Sequence, residues 1–328
     1  MNMLGVLFIK YTMKKLAIIG ASGLVGQTVL KVLKEENLID KFEICLIVSN
    51  KSAGLVLEFD GKHYNLIELN KEVIKQRFDY AIFSAGEDIS KKWAKQFTST
   101  GAIVIDNSSA FRLNKNTPLV VPEINFDEIK NNKLIANPNC STIQLVVVLD
   151  KLKNLFEIEK VIVSSYQSVS GAGKEALRDL AEDSNEVFKF GIKDNLIARI
   201  GDIEKNGYCV EENKIINETK KILCSNFDVF ATTVRVPISF CHGESVYVKF
   251  KENVNLGRLK KKLECDYIKI SDDLCYPKFV ADSDLTYVCR LRKFSKNEIG
   301  LFILADNLRR GAAYNAVEIL RKLTESEN

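Results

Sequence analysis

Lys15-Leu16-Ala17-Ile18-Ile19-Gly20-Ala21-Ser22-Gly23-Leu24-Val25-Gly26 is the stretch on which the fold turns. Its first five residues form a short apolar run of strand formers. The glycines at 20, 23 and 26 interrupt it, and a helical pattern follows over 27–35. A strand, a glycine-rich turn and a helix in that order make a phosphate cradle. Gly20 permits the tight turn, Gly23 lets the backbone approach a pyrophosphate, and Gly26 allows close helix–strand packing. The spacing G-x-x-G-x-x-G differs from the common G-x-G-x-x-G. The position of the turn at the head of a βαβ unit therefore carries the reading more than the spacing does. The whole turn, with Ala21, Ser22, Leu24 and Val25, is expected to hold a dinucleotide.

Downstream, apolar runs at 42–48, 80–83 and 102–105 alternate with helical segments, which predicts a Rossmann-like, doubly wound parallel sheet. The pattern changes near residue 140. A helix is expected over 141–155, then longer alternating strands at 161–169, 229–236, 245–251, 285–293 and 301–305. These suit a mixed, largely antiparallel sheet in a second, α+β domain. A last amphipathic helix is expected over 308–323, with Leu308, Ala312, Ala316, Ile319, Leu320 and Leu323 on one face.

Composition sets the outer bounds. The chain has 328 residues, 46% of them apolar, which suits a soluble globular protein of two domains. Its 47 basic and 43 acidic residues leave +4, too little to suggest a nucleic-acid partner. No apolar run reaches the length of a membrane span, and residues 1–9 carry no signal-peptide pattern. Met13-Lys14-Lys15-Leu16 reads like a natural start, so 1–12 is expected to be a disordered extension. The eight cysteines form no Cys-x-x-Cys, and His63 and His242 are the two histidines, so no metal site is expected. The thiols are expected to be reduced and cytoplasmic, and all but Cys140 to be buried as small apolar groups.

The end of the second strand bears on the ribose. A carboxylate there would bind a 2′-hydroxyl; instead Ser49-Asn50-Lys51-Ser52 follows Val48. Two hydroxyls and an ammonium suit a 2′-phosphate, which predicts NADP.

Three further segments carry chemistry. In Asn137-Pro138-Asn139-Cys140-Ser141-Thr142, Cys140 stands at a helix start, where the helix dipole is expected to favour the thiolate. In Ser165-Tyr166-Gln167-Ser168-Val169-Ser170-Gly171-Ala172-Gly173, Gln167 could orient a reacting carbonyl. In Arg235-Val236-Pro237-Ile238-Ser239-Phe240-Cys241-His242-Gly243-Glu244, Arg235 can pair two-pronged with a carboxylate and His242 can exchange protons near neutrality. A fourth, from Glu211 through Lys214 to Lys220, offers both charges on one helix.

Together these blocks resemble aspartate-semialdehyde dehydrogenases of the bacterial type, in order and over nearly the whole chain. Phe83-Ser84-Ala85-Gly86, Ile105-Asp106-Asn107-Ser108-Ser109-Ala110-Phe111-Arg112, Val121-Pro122-Glu123-Ile124-Asn125 and Ala305-Asp306-Asn307-Leu308-Arg309-Arg310-Gly311-Ala312-Ala313 extend the match. The resemblance implies Cys140 as nucleophile, Gln167 as the residue positioning the acyl intermediate, and His242 as acid/base. It implies Arg235 on the substrate carboxylate, Glu211 near the amino group, and Arg112 with Lys214 on phosphate. Asn139 belongs to the same substrate set, and Ser84, Ala85, Gly86, Ser170, Gly171 and Asn307 to the NADP site. It implies that a C-terminal helix, 306–328, completes the NADP-binding domain of 13–139. A catalytic and dimerisation domain of 140–305 would then form a homodimer or homotetramer. The implied reaction links aspartyl phosphate and aspartate semialdehyde through a Cys140 thioester, on the cytoplasmic route to lysine by way of diaminopimelate, and to threonine, methionine and isoleucine. Chemically, a reductase of N-acetyl-glutamyl phosphate is the nearest rival. The Asn-Pro-Asn-Cys-Ser-Thr string and the presence of Glu211 with Arg235 argue against it. A catalytically dead relative would be expected to have lost Cys140 or His242. Departures from the family pattern are Lys51 for Arg, Glu87-Asp88 after Gly86, Cys241 for Gly or Ala, and Gly243 for Ser.

Overall fold

The computed structural model describes residues 13–326; the extension expected over 1–12 lies outside them. The opening stretch forms β1 (Lys14–Ile19) and α1 (Leu24–Glu35). It is followed by β2 (Phe42–Val48), β3 (Val56–Phe59), β4 (Lys62–Glu68), α2 (Lys71–Lys75), β5 (Tyr80–Phe83), α3 (Glu87–Ser99), β6 (Ile103–Asp106), α4 (Pro122–Asn125) and β7 (Leu134–Ala136). The seven strands lie in the order β3-β4-β2-β1-β5-β6-β7. All neighbours are parallel except the β3–β4 hairpin. Its turn is Asp60-Gly61, both with positive φ, the pair that a two-residue hairpin favours. The chain leaves β1 toward β2 on one side and reaches β5 on the other. The glycine turn after β1 thus stands at the point where the winding reverses, the place where such sheets bind ligands.

The second half builds α5 (Cys140–Lys153), β8 (Ile158–Gln167), α6 (Lys174–Glu182), α7 (Val210–Leu223), β9 (Asp228–Arg235), β10 (His242–Phe250), α8 (Leu256–Leu263), β11 (Ile268–Ile270), α9 (Pro277–Val280), β12 (Thr286–Ser295) and β13 (Glu298–Ala305). Its sheet runs β11-β12-β13-β10-β8-β9. The β8–β9 and β11–β12 pairs are parallel and the rest antiparallel, so the sheet is mixed. Helix α5 is apolar nearly all round, as a helix sunk in a core must be. Ile143, Val146 and Val147 pack with Val161 of β8, Val246 of β10, Leu301 of β13 and Ile215 of α7. The opposite face of the sheet leaves Ile162, Tyr166 and Phe230 about two-fifths exposed.

The expected last helix divides in two. Residues Arg309–Ala313 form a π-helical turn, and α10 (Tyr314–Glu325) follows. Ala316, Ile319 and Leu320 of α10 pack with Leu16 of β1 and Leu30 of α1, so the chain's end returns to the first sheet. The cysteines meet expectation only in part. Cys209 and Cys241 are buried, Cys45 and Cys265 are half-buried, and Cys224 is exposed. Cys275 and Cys289 are joined as a disulfide, with Cα atoms 6.0 Å apart. The pairing of β11 with β12 brings the loop bearing Cys275 beside β12, a proximity that spacing in sequence does not reveal.

Candidate active site

Cys140 is the first residue of α5. Asn139 caps the helix, its Oδ1 accepting from the amides of Ser141 (2.9 Å) and Thr142 (3.3 Å). Two further bonds hold Asn139: its amide donates to Glu218 Oε2 at 2.7 Å, and its Nδ2 to Glu211 Oε1 at 2.7 Å. The π-helical turn presses on the other side, where a Cβ placed on Gly311 would stand 2.8 Å from Cys140 Cβ. Only glycine fits there, so the nucleophile candidate is fixed from two directions.

Strand register supplies the next layer. Gln167 pairs with His242 across β8–β10 and with Arg235 across β8–β9. Arg235, Gln167 and His242 therefore form one row at the sheet's end, although 68 and 75 positions of chain separate Gln167 from its two neighbours (235 − 167; 242 − 167). Arg235 is anchored by Nη1 donating to the Ser168 carbonyl at 2.5 Å. Gln167 Nε2 reaches Glu211 Oε1 at 3.3 Å.

His242 has no exposed surface. The Ser168 amide donates to its Nδ1 at 3.1 Å, so Nδ1 must be bare and the neutral ring carries its proton on Nε2. Among the described residues Nε2 has no partner. It lies 3.4 Å from where a Gly171 Cβ would be, so the main chain of Gly171, which lines the active-site cavity, stands between the ring and that cavity while His242 itself does not line it. Burial, then the nearby Arg235 cation, lowers the imidazole pKa to about 3, so it rests neutral.

A cavity of ≈ 430 Å³ gathers Cys140, Gln167, Arg235, Glu211, Lys214, Arg112, Asn139, Gly86 and Asn307. Burial would raise the Glu211 carboxyl, but Lys214 at 3.0 Å and the Asn139 amide outweigh it and hold it below the usual range. Arg112 is pinned by the carbonyls of Asn137 (2.9 Å) and Asn107 (2.7 Å) and by Glu218 (3.1 Å). Three of its five N–H groups are thereby used, which leaves two for an anion.

The thiol differs from expectation. Burial pushes Cys140 up to about 12 and the Glu211 carboxylate adds to the rise, while Arg112, Arg235 and the Ser141 amide pull down without prevailing. The helix start helps the thiolate but does not offset burial in the unliganded cavity. Below its raised pKa the group is a neutral thiol, and the thiolate fraction grows about tenfold per pH unit. Alkylation of Cys140 by iodoacetamide should therefore still be rising steeply at pH 9. A plateau by neutral pH would show a resting thiolate.

A second cavity adjoins the first, lined by Ser22, Gly23, Leu24, Val25, Ser52, Ser84, Ser170, Gly171 and Lys174. Gly20 has φ +84°, and a Cβ there would lie 2.6 Å from the Ser84 carbonyl; one on Gly26 would lie 2.4 Å from the Gly20 carbonyl. No side chain caps α1, so its first amides are open to an anion. Ala21 is buried beneath the turn and Ala85 follows Ser84 at the end of β5. Ser49 and Lys51 stand on the exposed turn after β2 and do not line this cavity, whereas Ser52 does. Asn307 Oδ1 accepts from Ser168 Oγ (3.0 Å), Ser170 Oγ (3.2 Å) and the Cys241 amide (2.9 Å), tying the strand ends together.

Two contributors were given no role from the sequence. Glu218 holds both Arg112 and Asn139; its place seven residues after Glu211, on the same helix face, was the available signal. Ser168 fixes the imidazole through its main chain, which leaves no trace in sequence. The geometry bears on two departures, accounting for Gly243 and leaving Cys241 in a conformation that favours another residue. Cys241 has φ +71°, where glycine is favoured. A Cβ on Gly243 would meet the Phe302 ring at 2.6 Å. Among the described residues no group of side chains could hold a metal ion, and no helix is long and apolar enough to cross a membrane.

Comparisons with known proteins agree along the chain. Residues 15–132 match the semialdehyde dehydrogenase NAD binding domain, and 149–310 the semialdehyde dehydrogenase dimerisation domain. An aspartate-semialdehyde dehydrogenase of Campylobacter jejuni is 41% identical over 96% of this chain and 98% of its own. One of Aquifex aeolicus is 40% identical over 95% and 98%. The crystal structure of aspartate semialdehyde dehydrogenase II from Vibrio cholerae superposes with TM-score 0.91 at 36% identity, over 96% and 99% of the two chains; the same enzyme has been solved complexed with ASA. The Candida albicans enzyme, solved with NADP, gives TM-score 0.77 at 25% identity over 95% and 98%.

Proposed function

The chain belongs to the aspartate-semialdehyde dehydrogenase family, and from that premise we propose that it reduces L-4-aspartyl phosphate to L-aspartate 4-semialdehyde with NADPH. The observation that carries this reading is the single cavity joining Cys140 to the Arg235–Gln167 row and to Glu211, Lys214 and Arg112. One thiol, one buried cation for a carboxylate, one carboxylate for an ammonium and two cations for a phosphate match the substrate group by group.

In this reading Cys140 Sγ bonds to the acyl carbon while its S–H bond and the C–O bond to phosphate break, the thiol proton passing to the departing phosphate. Arg112 and Lys214 hold the phosphate that departs. Gln167 donates its amide to the acyl oxygen, and Arg235 and Glu211 fix the amino-acid end. When bound, NADP(H) supplies the two-electron chemistry that interconverts the Cys140 thioester and thiohemiacetal. The neutral His242 offers Nε2–H to negative charge on the acyl oxygen. An anion beside the ring raises its proton affinity, so the burial that keeps His242 neutral at rest makes its protonation follow the reaction. Breaking the C–S bond then releases the aldehyde and restores the thiol.

The cofactor would lie along the second cavity, with its pyrophosphate on the glycine turn and the open start of α1, where Gly23 lines the cavity and no side chain caps the helix. Ser84, Ala85 and Gly86 would flank it, and Ser170, Gly171 and Asn307 would hold its reacting end near Cys140. Ser49, Lys51 and Ser52 would meet the 2′-phosphate. We assign 13–139 with the terminal helix of 306–328 to the cofactor and 140–305 to catalysis and dimerisation. The half-exposed Ile162, Tyr166 and Phe230 are the apolar face a homodimer would cover. The chain would serve lysine, threonine, methionine and isoleucine synthesis in the cytoplasm.

The deciding experiment compares turnover of aspartyl phosphate with that of N-acetyl-glutamyl phosphate. Preference for the first supports the reading; preference for the second assigns the chain to the rival reaction. For the cofactor, Ser49→Asp should lower kcat/KM with NADPH by roughly 10–100-fold, the cost of one charge-assisted hydrogen bond, and leave NADH nearly unaffected. An unmoved ratio would mean that this turn does not read the ribose.

A further inference from the structure

Beneath the reacting groups lies an acid that the mechanism leaves unused. Glu244 stands two residues beyond His242 on β10 and has no exposed surface. Among the described residues neither of its carboxyl oxygens has a hydrogen-bond partner. The Gln144 side chain is the polar group that meets it. Gln144 lies one helical turn after Cys140 on α5. Helix and strand thus face each other with Cys140 and His242 in one layer and Gln144 and Glu244 in the layer below.

Gln144 Nε2 donates to the His242 carbonyl at 3.1 Å. A carbonyl only accepts, so the amide cannot be turned round without setting two acceptors against each other. Gln144 Oε1 is therefore the free end, and it is buried and unpartnered. The second Nε2–H of Gln144 makes no bond to Glu244, so with Glu244 ionised three buried acceptors would be left without a donor. One proton on Glu244 converts that repulsion into an O–H···O bond and leaves Gln144 satisfied at both ends.

We propose that Glu244 is held as a neutral carboxylic acid that donates to Gln144, and that the Glu244–Gln144–His242 chain positions the histidine strand against the cysteine helix. Burial pushes the Glu244 carboxyl well above the usual range, and the Gln144 side chain pulls it down without prevailing. Glu244 touches neither substrate nor cofactor and acts through the main chain of His242. The proposal rests on the roles given above to Cys140 and His242.

Two measurements on the full-length enzyme test it. Infrared difference spectra, Glu244→Gln against wild type, should contain the C=O stretch of a protonated carboxyl at neutral pH. That readout needs no substrate and stands whether or not aspartyl phosphate is the substrate. In turnover, Glu244→Leu removes the donor and should lower kcat by about 10–100-fold with KM little changed, as small misplacements of reacting groups do. Glu244→Gln keeps a neutral donor toward Gln144 and should rescue most of that loss. If Glu244→Leu fails to fold, the spectrum and Glu244→Gln decide alone. Absence of the protonated-carboxyl band, or a Glu244→Gln enzyme without most of the wild-type kcat, overturns the proposal.

Discussion

Replacing Cys140 by alanine should leave the fold and NADP binding intact and lower turnover by about 10⁴-fold or more, as removal of other covalent nucleophiles does. The fold should hold because the turn does not depend on the sulfur. Asn139 makes its two cap bonds and its bonds to Glu211 and Glu218 through its own atoms. Alanine suits the first turn of a helix and still fits beside Gly311. Cofactor binding should hold because the glycine turn and Ser52 lie in the adjoining cavity, which Cys140 does not line. Fluorescence titration with NADPH and a steady-state assay separate the two effects. Retained turnover would remove Cys140 from the chemistry.

His242→Ala should cost about 10²–10⁴-fold in kcat, the range for a positioned acid–base group, with smaller changes in KM. The ring is buried, so its loss also leaves a cavity and deprives the Ser168 amide of its acceptor. His242→Gln serves as the companion variant, because it retains side-chain volume but cannot exchange protons near neutral pH. If both variants lose kcat alike while circular dichroism stays unchanged, the loss is chemical. An unchanged kcat in either would return His242 to a structural role.

Much of the fold was legible because local patterns repeat it. The apolar run before Gly20 and the runs at 42–48 and 80–83 became strands β1, β2 and β5 almost to the residue. The β3–β4 hairpin was missed although Asp60-Gly61 announced its turn, since its strands are largely exposed and lack a continuous apolar run. The π-helical turn was missed because amphipathic spacing is nearly the same through a single widened turn; within it Gly311 comes close to Cys140. The motifs named the residues of the site but not their relations. That Arg235, Gln167 and His242 form one row is a matter of strand register, set by tertiary packing. The neutral thiol was invisible for a related reason: sequence shows the helix start that lowers a thiol pKa, and burial, which here outweighs it, appears only in three dimensions.

Catalysis through Cys140 requires that an acyl group be carried on its sulfur. Aspartyl phosphate should be mixed with the enzyme in the absence of NADPH, quenched in acid within one turnover, and the peptides analysed by mass spectrometry. An aspartyl thioester is expected on the peptide bearing Cys140 and absent from Cys140→Ala. An adduct on any other cysteine, or none on Cys140 while phosphate is released in a stoichiometric burst, would contradict it.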